Sequence, residues 1–113
     1  MHTTSGTEYW QSGESLITTD PQGRRDARIP DGVRIYHLAG TQHIMGATMP
    51  AGVCALPPNQ VDPRSVMRAL LVALDRWVSD GTTPPASAYP TLADRTLVPF
   101  AQWRFPSIPG VQR

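Results

Sequence analysis

An amphipathic helix with too little sheet to cover it is the strongest constraint that this sequence places on its fold. Asp62 suits the N-cap, Pro63 suits the first helical position and Gly81 suits the end, so a helix is predicted over residues 63–79. Apolar residues recur along it at helical spacing and form a wide stripe: Val66, Met67, Leu70, Leu71, Leu74, Trp77 and Val78. A stripe of this width has to pack against a sheet or another helix.

The chain contains one strong strand signal, at residues 33–39, where residues of high β-propensity lie between turn residues. Residues 91–93 and 96–98 predict a small hairpin around Asp94 and Arg95. The segment Met1-His-Thr-Thr4 is too short and polar to predict a strand. A lone strand or ribbon is marginal by itself, so we expect the rest of the sheet to come from a missing N-terminal portion or from a partner chain.

The N-terminal residues predict a loop over 1–7 followed by a weak helix over roughly 8–17. The segment Ser5-Gly-Thr-Glu8 matches a capping box, in which Ser5 is the N-cap and the Glu8 side chain returns to it. Gly13 weakens this helix.

Twelve prolines and nine glycines concentrate between these elements. Residues 40–60 predict a loop of a length that is typical of functional loops. Residues 82–113 predict a proline-rich tail that wraps over the body in extended form and carries Phe100, Trp103 and Phe105. Residues 1–113 thus form one partial domain.

Composition excludes several function classes and leaves the compartment open. A net charge of +1 with 17% charged residues indicates neither nucleic acid nor an anionic membrane as a partner. No run of about 18 apolar residues predicts a membrane span. Cys54 is the only cysteine, which excludes an internal disulfide. A metal site from His37, His43 and Cys54 matches no tight zinc spacing, and we expect neither metal nor cofactor.

His43 and Glu8 are the candidate site residues. A histidine on a loop directly after a strand can accept and return a proton near neutral pH, although an ordinary loop histidine bonded to the backbone fits the same pattern. A carboxylate can orient such a ring, but Glu8 also fits the capping box, and the two roles compete for the same oxygens. For His37, a packed or edge-facing histidine in mid-strand is the favoured interpretation. Met45 and Met49 are expected to fill gaps beside His43 rather than to line an acyl pocket.

The order of Glu8, a helix, a strand, Gly40-Thr-Gln-His43 and a long amphipathic helix resembles the C-terminal end of an α/β-hydrolase. It is most similar to bacterial proteins that carry an "alpha/beta hydrolase domain". The resembling stretches are residues 7–10, 34–43, 68–77, 89–94 and 96–99. The resemblance implies an α/β fragment made of the last strand, the amphipathic helix, a small hairpin and an extended tail. It also implies that His43 is the general base and Glu8 the orienting acid of a serine hydrolase.

The sequence departs from that family in its nucleophile. None of its seven serines lies in a Gly-x-Ser-x-Gly elbow, and the family order of serine, acid and histidine would place the nucleophile before Glu8. We therefore expect the C-terminal portion of a carboxylic ester hydrolase, inactive alone, whose complete form acts on a small-molecule ester. It would be completed by a complementing chain or a homo-oligomer. The alternative is a small non-catalytic module that docks on a partner through helix 63–79 and the aromatic tail.

Overall fold

The computed structural model describes residues 1–44, 59 and 61–110. Its strands are β1 (His2–Ser5) and β2 (Ile35–Leu38), and its α-helices are α1 (Gly6–Gln11) and α2 (Arg64–Asp80). Two 3₁₀ turns span Glu14–Ile17 and Phe100–Gln102. Since β1 and β2 form a parallel two-stranded sheet accompanied by helices, the described residues have an α/β architecture.

Strand β1 corrects the prediction of a loop over residues 1–7. It pairs in parallel with β2, so that His2 lies opposite Ile35 and Ser5 lies opposite Leu38. The segment is polar, but Thr3 and Thr4 are β-branched, and the distant partner strand supplies the main-chain hydrogen bonds that a short strand needs. The strand that leads to Glu8 is therefore present.

Helix α1 confirms the capping box but not the predicted helix bounds. Ser5 is the N-cap, its hydroxyl accepts from the Glu8 main chain, and the Glu8 carboxylate accepts from the Ser5 main chain. The helix begins at Gly6 and ends at Gln11, because Gly13 adopts the left-handed conformation with φ of 76°. The predicted single helix is thus an α-helix and a separate 3₁₀ turn.

Helix α2 confirms the strongest helix prediction within two residues. Gly81 ends it with a φ of 76°. The N-cap is Pro63 rather than Asp62, although an Asp62 carboxylate oxygen still accepts from the Arg64 main chain at 2.9 Å. Asp62 therefore still caps the start of α2, but from the residue before the N-cap.

Part of the apolar stripe of α2 stays uncovered by the described residues. Leu70 is buried, and the guanidinium of Arg34 lies 5.4 Å from the centre of the Trp77 ring. In contrast, Leu71 is 66% exposed and Val78 is 79% exposed. The described residues do not provide the packing surface that this flank of the helix requires. No helix within these residues is long and apolar enough to span a bilayer.

The segment after α2 extends the sheet beyond β2. The main chain of Ala88 accepts from His37 at 2.8 Å and donates to Ile35 at 2.9 Å. The Tyr36 hydroxyl donates to the carbonyl of Pro85 at 2.7 Å. This part of the predicted proline-rich surface segment therefore covers one edge of β2.

The hairpin predicted over residues 91–98 is wrong. The carbonyl of Thr91 accepts from both Thr96 and Leu97, which closes a tight turn in place of two paired strands. The Asp26 carboxylate accepts from the Leu92 and Ala93 main chains at 2.8 and 2.9 Å and fixes this turn.

The later part of the tail, unlike residues 85–88, does not wrap over the body. Residues 101–110 are all exposed. Trp103 packs between Phe100 and Phe105, with ring centres 5.8 and 5.2 Å apart, so the aromatic rings contact one another rather than the sheet. The buried apolar residues of the described chain are Tyr9, Ile35, Tyr36 and Leu70.

Candidate active site

Parallel pairing places the two predicted site residues at the same edge of the sheet. Glu8 follows the end of β1 at Ser5, and His43 follows the end of β2 at Leu38. The carboxyl ends of parallel neighbours lie side by side, so the segments that leave them are adjacent. The parallel pairing of the two strands thus brings together residues that are far apart in the chain.

The side chains of His43 and Glu8 are in direct contact. His43 Nδ1 lies 2.7 Å from Glu8 Oε1, the distance of a charge-assisted hydrogen bond. An ionised carboxylate can only accept, so the neutral imidazole carries its proton on Nδ1 and a lone pair on Nε2. The His43 side chain is 64% exposed, and none of the described residues forms a hydrogen bond with its Nε2.

The two carboxylate oxygens of Glu8 serve different partners. Oε2 accepts from the Ser5 main chain at 2.7 Å, and Oε1 pairs with the His43 ring at 2.7 Å. The prediction that the cap and the ring compete for the same oxygens is wrong, because each takes one. The cap instead holds the carboxylate in the orientation that reaches His43.

These contacts favour the ionised form of Glu8. The pKa of Glu8 is lowered chiefly by the Ser5 main-chain N–H, then by the Ser5 side chain and by the His43 ring, while desolvation opposes the shift. Glu8 therefore remains an anion across the pH range in which a histidine exchanges protons.

The loop that carries His43 is tied to a residue far along the chain. The Gln42 side chain donates to the Asn59 carbonyl at 3.0 Å, and the Asn59 side chain donates to the Gly40 carbonyl at 2.9 Å. Nothing in the sequence pattern singled out Asn59. Met45, Met49 and Cys54, considered from sequence for a pocket or a metal site, lie outside the described residues.

His37 is packed, as the sequence predicted. Its ring lies against Tyr9, with the ring centres 4.5 Å apart, and burial lowers its pKa. Across residues 1–44, 59 and 61–110, no three His, Cys, Asp or Glu side chains cluster as metal ligands would. His37 is therefore a half-buried residue that packs against the core at Tyr9.

A second histidine–glutamate pair lies elsewhere in the chain and was not predicted. His2 begins β1, at the end of the strand away from the site, and its Nε2 lies 3.5 Å from Glu14 Oε2. It offers an internal control for the Glu8–His43 pair.

We expect the stabilising effect of Glu8 to depend on pH. Because its folded-state pKa is depressed, its contribution is complete above the unfolded glutamate value of about 4.3 and is lost as pH falls through the folded value. The difference in unfolding free energy between the native chain and Glu8→Gln should therefore be largest above about pH 5 and shrink toward pH 3. Urea unfolding at several pH values measures it.

His37 titrates in both proteins of that comparison, so its effect cancels. Its lowered pKa makes both lose stability as pH falls below the unfolded histidine value of about 6.5. A difference between the two proteins that stays constant from pH 6 to pH 3 would contradict the depressed pKa of Glu8.

The arrangement can orient an imidazole and take up a proton at its free nitrogen. All seven serines fall within the described ranges, and none is hydrogen-bonded to His43. The geometry therefore provides a carboxylate paired with an imidazole at one edge of a parallel sheet, and no serine among these residues bonds to that imidazole.

Comparison with known proteins identifies the family. Residues 1–104 match the family model described as "Alpha/beta hydrolase domain". Neither the curated proteins nor the solved structures include a match to this chain. Since the family model covers most of the sequence, including both strands, both site residues and α2, the chain belongs to the alpha/beta hydrolase domain family.

Proposed function

We propose that Glu8 and His43 are the acid and the base of a serine hydrolase that cleaves carboxylic esters. The observation that carries this proposal is the 2.7 Å contact between His43 Nδ1 and Glu8 Oε1, in a His43 side chain that is 64% exposed and whose Nε2 bonds to none of the described residues. A general base needs this arrangement, because one ring nitrogen must be fixed while the other remains free to accept a proton.

In this reaction Nε2 of His43 removes the proton from a serine hydroxyl as the oxygen attacks the ester carbonyl. The protonated ring then donates that proton to the departing alcohol, which leaves an acyl-enzyme. Water repeats the cycle, again with His43 as base, and the carboxylic acid is released. The Glu8 carboxylate keeps the ring in the required tautomer and stabilises the imidazolium that forms in each half-reaction.

The nucleophile in this proposal comes from polypeptide outside residues 1–113, of which this chain would be the C-terminal part. No serine here lies in an elbow motif. In a parallel pair of strands, only every second residue directs its main-chain N–H and C=O toward the partner strand. His2 bonds to the β2 side, so the main-chain groups of Thr3, the next residue, face away from β2. That edge of β1 and the exposed flank of α2 are surfaces on which a further part of the sheet could pack.

The experiment combines DNA sequencing with serine labelling. The DNA upstream of the Met1 codon is read for a frame that encodes a strand and a Gly-x-Ser-x-Gly motif, and that polypeptide is co-expressed with this chain. We expect a serine-directed fluorophosphonate to label the complex and to label neither part alone. Co-purification without labelling would contradict the proposed hydrolase.

A second candidate function is a non-catalytic docking module. The exposed side chains of Leu71 and Val78 on α2, together with the exposed ring of Phe100, favour it. In this case the chain alone should be a soluble monomer that unfolds cooperatively, and the upstream DNA should be non-coding. Strong binding of an apolar dye by the isolated chain favours the hydrolase portion instead.

A further inference from the structure

We propose that Thr41 is a positioning residue that locks the His43 loop onto the start of α1 and so sets the contact between His43 and Glu8. The catalytic meaning of this inference rests on the proposed function. The geometry itself does not, because it concerns only how two segments of this chain are held together.

Thr41 joins the end of one strand to the start of the helix that follows the other. Its hydroxyl donates to the Leu38 carbonyl at 2.6 Å and accepts from the Gly6 main chain at 3.4 Å. Its own carbonyl accepts from the Thr7 main chain at 3.3 Å. The two bonds to α1 are long and individually weak, but they act from one residue that is only 5% exposed.

The backbones at this junction approach so closely that any side chain at position 6 would be crowded. A Cβ atom on Gly6 would lie 3.1 Å from the Thr41 carbonyl oxygen and 3.3 Å from the Gly40 nitrogen. The start of α1 and the turn after β2 are therefore in direct contact. The two segments that carry the site therefore have little freedom to move relative to each other.

The junction is close in sequence to both site residues. His43 lies two residues after Thr41, and Glu8 lies two residues after Gly6. A displacement at the junction therefore reaches the 2.7 Å contact through short chain segments on both sides. A misplacement of about 1 Å can lower the rate of an enzyme by about 10²-fold.

The hydroxyl group is the part of Thr41 on which this role depends. Its single proton goes to Leu38, which leaves its lone pairs to accept from Gly6. Thr41→Ser keeps both bonds, whereas Thr41→Val keeps the shape and removes them. The two variants therefore separate the hydrogen bonds from the volume of the side chain.

The test is nitrogen-detected NMR of the histidine rings in the full chain at neutral pH, which reports which ring nitrogen carries the proton. In the native chain and in Thr41→Ser, we expect His43 to be held with its proton on Nδ1. In Thr41→Val we expect a mixture of the two tautomers, while the rings of His2 and His37 keep their native signals. A folded Thr41→Val chain with an unchanged His43 tautomer would overturn the proposal.

A second variant keeps the test decisive where Thr41→Val fails to fold. Gly6→Ala retains the Thr41 hydroxyl but adds a Cβ that the two backbones must move a few tenths of an ångström to admit, and it should shift the tautomers in the same direction. An unchanged tautomer in Gly6→Ala would equally overturn the proposal. Because the NMR signal requires neither nucleophile nor substrate, it is independent of whether the fluorophosphonate experiment succeeds.

Where labelling does reconstitute a hydrolase, kinetics provide a second readout. Thr41→Val should lower kcat by about 10²-fold with KM unchanged, since the base is misplaced and the substrate pocket is not. Thr41→Ser should retain the native kcat. A loss in KM alone would show that Thr41 affects substrate binding and would count against a positioning role.

Discussion

We expect His43→Ala to lower kcat/KM for ester hydrolysis by about 10²–10⁴-fold in the reconstituted hydrolase. The imidazole is the group proposed to accept the serine proton and to return it to the leaving alcohol, so its loss removes both proton transfers. Fluorophosphonate labelling should fall in parallel, because it also requires an activated serine. Steady-state kinetics on a chromogenic ester measure the effect.

Glu8→Gln should reduce the rate less than His43→Ala does. The amide oxygen of glutamine can still accept from Nδ1 of His43, but the negative charge that stabilises the imidazolium is lost. The effect should fall on kcat, since Glu8 would act through the His43 ring that it contacts. A larger loss of rate in His43→Ala than in Glu8→Gln thus distinguishes the base from the group that orients it.

The second histidine–glutamate pair provides the matched control. His2→Ala and Glu14→Gln remove a pair of the same composition, with a 3.5 Å separation, from the opposite end of β1. Neither should change kcat/KM in the reconstituted hydrolase. An equal loss of activity in the His2 and His43 variants would attribute the effect to folding and would contradict the role of His43.

The sequence predicted the pairing of Glu8 with His43 only through its resemblance to an α/β-hydrolase, in the order of Glu8, a helix, a strand and Gly40-Thr-Gln-His43. It did not predict β1. Four polar residues carry almost no periodic signal. The strand forms through its pairing with β2, in which His2 lies opposite Ile35, thirty-three residues later in the chain. Local propensity does not contain information about a partner at that distance.

Distant contacts also explain the other differences between prediction and structure. Residues 91–98 have the composition of a hairpin, but the Asp26 carboxylate fixes Leu92 and Ala93 in a turn across more than sixty residues. The role of Thr41 depends on the close approach of Gly6, which only the assembled sheet creates. The amphipathic helix α2 was predictable because its signal is local and periodic.

Tyr9→Ala should have the largest effect on stability, about 3–5 kcal/mol on the free energy of unfolding. Tyr9 is 0% exposed, and its ring packs against His37 with the ring centres 4.5 Å apart. Typical total stabilities are only about 5–15 kcal/mol, so this loss should remove a large share of the stability of the fold. Urea unfolding followed by circular dichroism measures it.

Tyr9→Phe separates the ring from its hydroxyl. The Thr18 hydroxyl donates to the Ser15 carbonyl at 2.9 Å, so the Tyr9 hydroxyl must be the donor in its 3.0 Å contact with Thr18. Removing it leaves Thr18 still bonded, and the expected cost is about 0.5–1.5 kcal/mol. Trp10→Ala serves as the control at an exposed position. Losing its edge contact with Tyr9 should lower the free energy of unfolding by about 1 kcal/mol.

Tyr9→Ala should also separate Glu8 from His43, because Tyr9 anchors the helix on which Glu8 lies. Adjacent residues of one short helix cannot move independently, so a helix that detaches from β2 takes the Glu8 carboxylate away from His43. In conditions where Tyr9→Ala remains partly folded, the His43 proton should lose its preference for Nδ1. A native-like tautomer in a Tyr9→Ala chain destabilised by several kcal/mol would show that the capping contacts of Ser5 and the junction at Thr41 hold Glu8 in place without the core.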